Sequence, residues 1–202
     1  MTTSRIEAFS DGVFAIAITL LVLEIHVPED PGNGLGQALL DQWPAYASYI
    51  VSFFVIGIIW VNHHAVFDHL QRADRPLLFI NLLLLLFVAV LPFPTNLLAT
   101  YMQEGGADER VAAVVYSGTM TGMGLAFGAL WTYASRHGRL LGETLSPPEV
   151  QRLTRRFTVG APIYLLSMLV ALVSAPACLA LNALLAVYYA LPSGGAMPHR
   201  IA

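Results

Sequence analysis

The sequence predicts an all-α membrane protein, and three observations lead to this fold class. Hydrophobic residues make up 56% of the 202 residues and charged residues only 11%, whereas a soluble domain has about 25% charged residues. The mean hydropathy is +0.65. The apolar residues form six stretches, most of which approach the roughly 20 residues that a membrane-spanning helix needs. We therefore expect a single six-helix transmembrane domain over residues 1–202.

Prolines and polar residues indicate where these helices begin and break. Pro92 and Pro94 should kink the third stretch, because proline lacks a backbone N–H. Only Pro176 separates the fifth stretch from the sixth, so we favour a helical hairpin over one long kinked helix. The motif S-P-P-E at 146–149 predicts a helix start before the fifth stretch. The first stretch has no cleavage site after it and is expected to be retained. The predicted spans are 9–25, 45–67, 77–101, 111–133, 158–175 and 177–191.

Arginines predict the orientation, because cytoplasmic loops of membrane proteins carry an excess of basic residues. With six spans, Arg110 falls on one side and every other arginine on the opposite side, so both termini are expected to be cytoplasmic. The net charge of −3 and the absence of a dense basic cluster predict no nucleic-acid partner. The arginines on the predicted cytoplasmic side are Arg5, Arg72, Arg75, Arg136, Arg139, Arg152, Arg155, Arg156 and Arg200.

Polar residues on the first three spans are predicted to meet in one layer near the cytoplasmic side. Polar groups at membrane depth are costly and tend to pair inside the helix bundle. We expect Asp11 to accept a hydrogen bond from Trp60 or from one of two adjacent histidines, with Arg5 as its counter-charge. Such a network could hold three helices together, position a pore helix, or do both. Its predicted members are Arg5, Ser10, Asp11, Trp60, His63, His64 and Asn81.

The first span also has an apolar ridge, formed by residues three or four positions apart on one helix face. It contains Phe9, Gly12, Ile16, Thr19 or Leu20, and Leu23. The T-V-G-Y-G filter of ordinary potassium channels is absent, so any conduction would have to use side chains on a helix face. Several copies of this helix around an axis could form a pore, and a ridge that packs against lipid or protein is the alternative.

Metal and hydrolase chemistry have little support in the sequence. His63 and His64 are adjacent, so their side chains diverge by about 100° on a helix and cannot easily bind one ion. A third ligand would have to come from Asp11 or Asp68, and we predict no metal site and no cofactor. No G-x-S-x-G or H-E-x-x-H motif is present, so we predict that the protein is not an enzyme.

The motif R-x-x-x-F-S-D at residues 5–11 resembles the start of the first helix in the transmembrane protein 175 family, which are potassium-permeable channels. Trp60, the His63-His64 pair, and the N-L-L and P-F-P-T segments at 81–83 and 92–95 also resemble bacterial members. The resemblance covers about the first hundred residues. Beyond them, only the number and hydrophobicity of the spans are similar.

The resemblance implies a homotetramer in a cell inner membrane, with the first helices lining a central pore. It implies an apolar constriction at Ile16, Leu20 and Leu23, a selectivity role for Thr19, and a polar network beneath the pore. The implied function is passive conduction of K⁺ through a side-chain-lined pore. A proton- or solute-coupled transporter that uses Asp11 and His64 as a relay is the alternative, and a non-conducting scaffold is a third possibility.

Overall fold

The computed structural model of the chain consists almost wholly of helices, in agreement with the predicted all-α class. It describes residues 3–28, 32, 34–136, 140–142 and 145–190. Arg139, Arg200 and the predicted end of the last span at residue 191 lie outside this part. A 3₁₀ turn, Leu21–Glu24, follows the first helix. The helices are α1 Thr3–Leu20, α2 Leu35–Asp41, α3 Trp43–Asp68, α4 Arg75–Val90, α5 Pro92–Tyr101, α6 Gly106–Ser135, α7 Pro147–Thr158, α8 Gly160–Ala171 and α9 Ala175–Ala190.

Four helical segments in the described residues are long and apolar enough to cross a membrane: Thr3–Glu24, Trp43–Asp68, Arg75–Tyr101 and Gly106–Ser135. The fifth and sixth predicted spans correspond to the shorter helices α8 and α9, of 12 and 16 residues. These two helices pack against each other. Asn182 Nδ2 donates a 2.7 Å hydrogen bond to Ser167 Oγ between them. The predicted hairpin is therefore present.

The third span is broken where its prolines predict a break. Helix α4 ends at Val90 and α5 begins at Pro92, with Leu91 between them. Pro92 cannot donate to the carbonyl of Val88, and the N–H of Leu91 bonds to that carbonyl instead, at 3.3 Å. One tightened turn thus replaces the hydrogen bond that proline removes, which a helix at membrane depth requires.

Helix α6 is the longest helix and lies at the centre of the packing. It contacts α4, α5, α7, α8 and α9, and it fully buries Tyr116, Met120 and Trp131. The hydroxyl of Ser52 on α3 lies 2.8 Å from Thr95 Oγ1 on α5 and 3.1 Å from Tyr116 Oη. This buried hydroxyl cluster connects three helices, and it was not predicted from the sequence.

Helix α1 lies at the edge of the subunit, where it packs against α3 and α4. In the most apolar 18-residue stretch of this segment, only 28% is buried, compared with 50% for the corresponding stretches of α3 and α6. A large part of the surface of α1 is therefore left uncovered by the other described residues.

Candidate pore helix and polar network

Two faces of α1 differ sharply in burial. The face of α1 that packs against the rest of the chain carries Ile6, Ser10, Phe14, Ala17 and Leu21, which are at most 4% exposed. Their spacing of three or four residues gives one continuous stripe. The stripe packs into the groove between α3 and α4 and fixes the rotation of α1 about its axis.

The opposite face of α1 and of the 3₁₀ turn after it is the predicted apolar ridge, and the described residues leave much of it uncovered. Phe9 is 56%, Ile16 62%, Leu20 42% and Leu23 66% exposed. From Ile16 to Leu23 the ridge extends about 10 Å along the helix axis. A monomer that exposes this much apolar surface requires lipid or other protein against it.

Thr19 is the one hydroxyl on this uncovered face. Its Oγ1 donates to the backbone carbonyls of Ala15 and Ile16, at 2.8 and 2.9 Å. The oxygen of a hydroxyl that donates its proton keeps both lone pairs as acceptors. Thr19 can therefore present an oxygen to a cation beside the side chains of Ile16 and Leu20.

Three of the predicted network residues form one buried hydrogen-bond chain. Asn81 Nδ2 donates to Ser10 Oγ at 3.0 Å, and Asn81 Oδ1 lies 2.8 Å from His63 Nε2. Because that amide oxygen can only accept, His63 carries its proton on Nε2. The chain connects α1, α3 and α4. All three side chains are at most 2% exposed, and the ring of Phe67 stacks on His63 at 4.4 Å.

Asp11 and Trp60 form a second contact at the surface of the subunit. Trp60 Nε1 donates to Asp11 Oδ1 at 2.8 Å, which is one of the two pairings that the sequence left open. The two side chains border an open groove between α1 and α3. Gly57 also lines this groove, and a Cβ at that position would meet nothing within 4 Å.

The remaining two predicted members lie apart from the buried chain. His64 is exposed and faces Glu7 and Asp68, with N–O distances of 3.8 Å to each carboxylate. Arg5 is also exposed, and it forms no hydrogen bond or ion pair with another described residue. The expected pairing of Arg5 with Asp11 is therefore absent from the described part of the chain.

Comparison with known proteins places this arrangement in a family. Residues 5–92 match the sequence profile described as endosomal/lysosomal potassium channel TMEM175. A protein of Streptomyces collinus named as a potassium channel is 53% identical over 188 residues, which cover 93% of this chain and 91% of that protein. The chain belongs to the TMEM175 family.

Other TMEM175 relatives extend the comparison to structure and to vertebrates. The crystal structure of a lysosomal potassium-selective channel TMEM175 homolog from Chamaesiphon minutus is 40% identical, with a TM-score of 0.85. It covers 96% of this chain and 98% of its own. The Gallus gallus TMEM175, named as an endosomal/lysosomal proton channel, is 35% identical over 73% of this chain and 30% of its own length.

The match to the TMEM175 family includes the start of α1. The profile covers the R-x-x-x-F-S-D motif, the histidine pair and Asn81. The structure gives the buried part of that motif a physical meaning, because Ser10 joins Asn81 and His63 while Phe9 and Asp11 lie at the surface of the subunit. The family is one of ion channels, in line with the prediction that the protein is not an enzyme.

Proposed function

We propose that this protein is a potassium-permeable cation channel, in which four copies of the chain enclose a pore lined by α1. The observation that carries the proposal is the uncovered face of α1, with Ile16, Leu20 and Leu23 exposed beside Thr19. Four such faces around one axis would cover each other's apolar surface. The relatives from Streptomyces collinus and Chamaesiphon minutus, named as potassium channels, support K⁺ as the permeant ion.

The proposed mechanism is passive diffusion past a narrow apolar segment. Rings of Ile16, Leu20 and Leu23 would resist wetting and restrict the passage of hydrated ions. A ring of Thr19 oxygens within this segment would replace part of the hydration shell of an ion that enters it. The buried Ser10–Asn81–His63 chain would hold the rotation of α1, so that these side chains keep facing the axis.

We place the channel in a cell inner membrane with both termini cytoplasmic. The support is the asymmetry of arginines between the two sets of loops, since basic residues favour the cytoplasmic side. Of the described arginines, only Arg110 lies between the third and fourth spans, on the predicted outer side, whereas Arg152, Arg155 and Arg156 lie together on α7. Labelling of single introduced cysteines in intact cells, at Gln103 and at Gln151, would test this orientation.

Reversal potentials in liposomes test the function directly. Purified protein is reconstituted under separate gradients of K⁺, Na⁺ and H⁺. A potassium-permeable channel gives a current that reverses near the potassium equilibrium potential and needs no proton gradient. A flux that follows the proton gradient and stops without it would instead support the coupled transporter that uses Asp11 and His64.

The vertebrate relative named as a proton channel makes the H⁺ gradient an informative part of the same experiment. Asp11 and His64 have no hydrogen bond to each other in the described part of the chain; Asp11 bonds to Trp60, and His64 faces two other carboxylates. The two side chains are therefore not connected for proton transfer in this structure, which favours passive conduction over coupled transport.

The substitution Ile16→Asn tests the apolar constriction. We expect a several-fold higher single-channel conductance, because a polar ring lowers the cost of wetting the narrow segment. Ile16→Val is the matched control, since it leaves the ring apolar and should conduct like the wild type. Equal conductance in Ile16→Asn and the wild type would contradict a role for Ile16 in the pore.

A further inference from the structure

Three metal-ligating side chains meet outside the polar network, where the start of α1 approaches the end of α3. Glu7 extends from α1, and His64 and Asp68 lie one turn apart on α3. His64 Nδ1 is 3.8 Å from Glu7 Oε1, and His64 Nε2 is 3.8 Å from Asp68 Oδ2. One ligand atom from each residue can be chosen so that all three atoms lie within 4.8 Å of one another.

These three groups converge without bonding to each other. A distance of 3.8 Å is too long for a hydrogen bond between an imidazole and a carboxylate. Neither carboxylate has an arginine within salt-bridge distance in the described residues. Glu7 therefore faces Nδ1 and Asp68 faces Nε2 of one imidazole, and rotation of these side chains can bring one ligand atom of each residue around a small cation.

We propose that Glu7, His64 and Asp68 bind a divalent transition-metal ion of the Zn²⁺ class. Zn²⁺ bound at 2.0–2.2 Å by nitrogen and oxygen ligands in tetrahedral geometry needs ligand atoms about 3.3 Å apart. The two 3.8 Å distances end on different nitrogens of the His64 ring, so one ring nitrogen must approach both carboxylates. The spacings within a set of one ligand atom per residue are up to 4.8 Å and must shorten by up to about 1.5 Å to reach that value. Rotations of the half-exposed side chains of His64 and Asp68 can supply this movement, since each is 60% exposed.

The ligand set selects the class of metal. One imidazole with two carboxylates suits Zn²⁺ and its neighbours, whereas Ca²⁺ and Mg²⁺ prefer sites made of oxygen alone. Three protein ligands leave a fourth position for water. The side chains of the adjacent pair His63–His64 diverge and cannot easily bind one ion. The structure instead combines one exposed histidine with Glu7, which lies 57 positions earlier in the chain.

The bound ion would join α1 to α3 at a second point, about one turn before the Ser10–Asn81–His63 chain. Because it binds only when the two helices are assembled, it should stabilise the folded protein by mass action. The proposal concerns binding and does not depend on whether the protein conducts ions. It goes beyond the proposed function, and its failure would leave that function standing.

Isothermal titration calorimetry of the purified full chain with Zn²⁺ tests the site. We expect one tight site per chain in the wild type, with a rise in unfolding temperature on Zn²⁺ addition. His64→Gln and Asp68→Asn should each weaken that site at least tenfold and abolish the thermal shift. Glu7→Gln should weaken it to a similar extent. Co²⁺ should bind at the same site and give the visible absorption bands of a nitrogen- and oxygen-ligated ion.

His26→Gln is the matched control, because His26 follows the other end of α1 and should not affect binding. His64 and Asp68 are exposed and Glu7 is partly buried, and the unfolding temperatures of the three variants without metal verify that each one folds. Zn²⁺ affinity that is the same in His64→Gln, Asp68→Asn and the wild type would overturn the proposal. So would a wild type that binds no more Zn²⁺ than the His64→Gln/Asp68→Asn double variant.

Discussion

At the scale of single residues, the sequence predicted a polar layer that includes Ser10, Asn81 and a histidine. It could not predict which of the two adjacent histidines takes part, and the pairing of Arg5 with Asp11 that it predicted is absent from the described residues. Adjacent residues on a helix point about 100° apart. Of the two adjacent histidines, His63 faces Asn81 and is 1% exposed, whereas His64 faces outward. The choice depends on how α3 is rotated in the bundle, and the apolar residues of α3 are distributed around the whole helix. Only the contacts with α1 and α4 settle that rotation.

We predict that Asn81→Ala destabilises the protein by about 1–3 kcal/mol, since it leaves the Nε2–H of His63 and the hydroxyl of Ser10 buried and unpaired. Thermal unfolding of the purified protein in detergent measures the loss. Asn96→Ala is the matched control, because Asn96 is only partly buried and has one long hydrogen bond of 3.4 Å, from Thr100. An equal decrease in both variants would argue against a special role for the buried chain.

At the scale of elements, the sequence was most informative where local chemistry alone determines the structure. The S-P-P-E motif predicted the start of α7, and Ser146 is its N-cap, with Pro147 as the first helical residue. The prolines of the third span predicted its break at Leu91. The close approach of α6 and α8 was not predicted, because it depends on which glycine of α6 faces α8, and the sequence does not show that.

The capping contact of α7 predicts a pH dependence. The side chain and the backbone N–H of Ser146 donate to Glu149, at 2.5 and 2.8 Å, and lower the pKa of that carboxyl from its usual 4.5. A carboxyl with a lowered pKa stabilises the fold above its usual pKa, and the effect is lost as the pH falls through the lowered value. We therefore expect the amide protons of α7 to lose protection against hydrogen exchange below pH 4.5.

Glu149→Gln is the control for this effect, because glutamine keeps an acceptor at the same place but does not titrate. Hydrogen exchange followed by mass spectrometry, corrected for the intrinsic pH dependence of exchange, compares the two proteins. The loss of protection on acidification should be smaller in Glu149→Gln. The same pH profile in both proteins would exclude Glu149 as its origin.

Gly124 provides a test of the packing between α6 and α8. A Cβ at this position would lie 3.1 Å from Cδ2 of Tyr164 and 3.3 Å from Cα of Ala161. We expect Gly124→Ala to cost about 1–3 kcal/mol through overpacking. Gly118→Ala on the same helix is the control, since its nearest neighbour would be Met168 Sδ at 4.0 Å. Unfolding temperatures should fall only for Gly124→Ala, and a similar fall in Gly118→Ala would contradict the explanation.

At the scale of the whole molecule, the hydrophobicity of the chain predicted a membrane protein, and its motifs predicted the family. Composition and periodicity could not show which face of α1 the subunit leaves uncovered, because α1 is apolar on both sides. The buried stripe runs from Ile6 to Leu21 and the exposed ridge runs from Phe9 to Leu23, and both consist mainly of apolar residues. They differ only in what the rest of the chain covers, and the proposed pore depends on that difference.

The accessibility of a cysteine at Ile16 tests this difference most directly. The natural Cys178 is fully buried, so the wild type serves as the unreactive reference, and Leu86→Cys on the exposed side of α4 serves as a second control. Currents are recorded before and after a charged, water-soluble thiol reagent is added. We predict that the reagent blocks the current of Ile16→Cys and leaves the current of Leu86→Cys unchanged. A current through Ile16→Cys that is unchanged by the reagent would contradict a pore lined by α1.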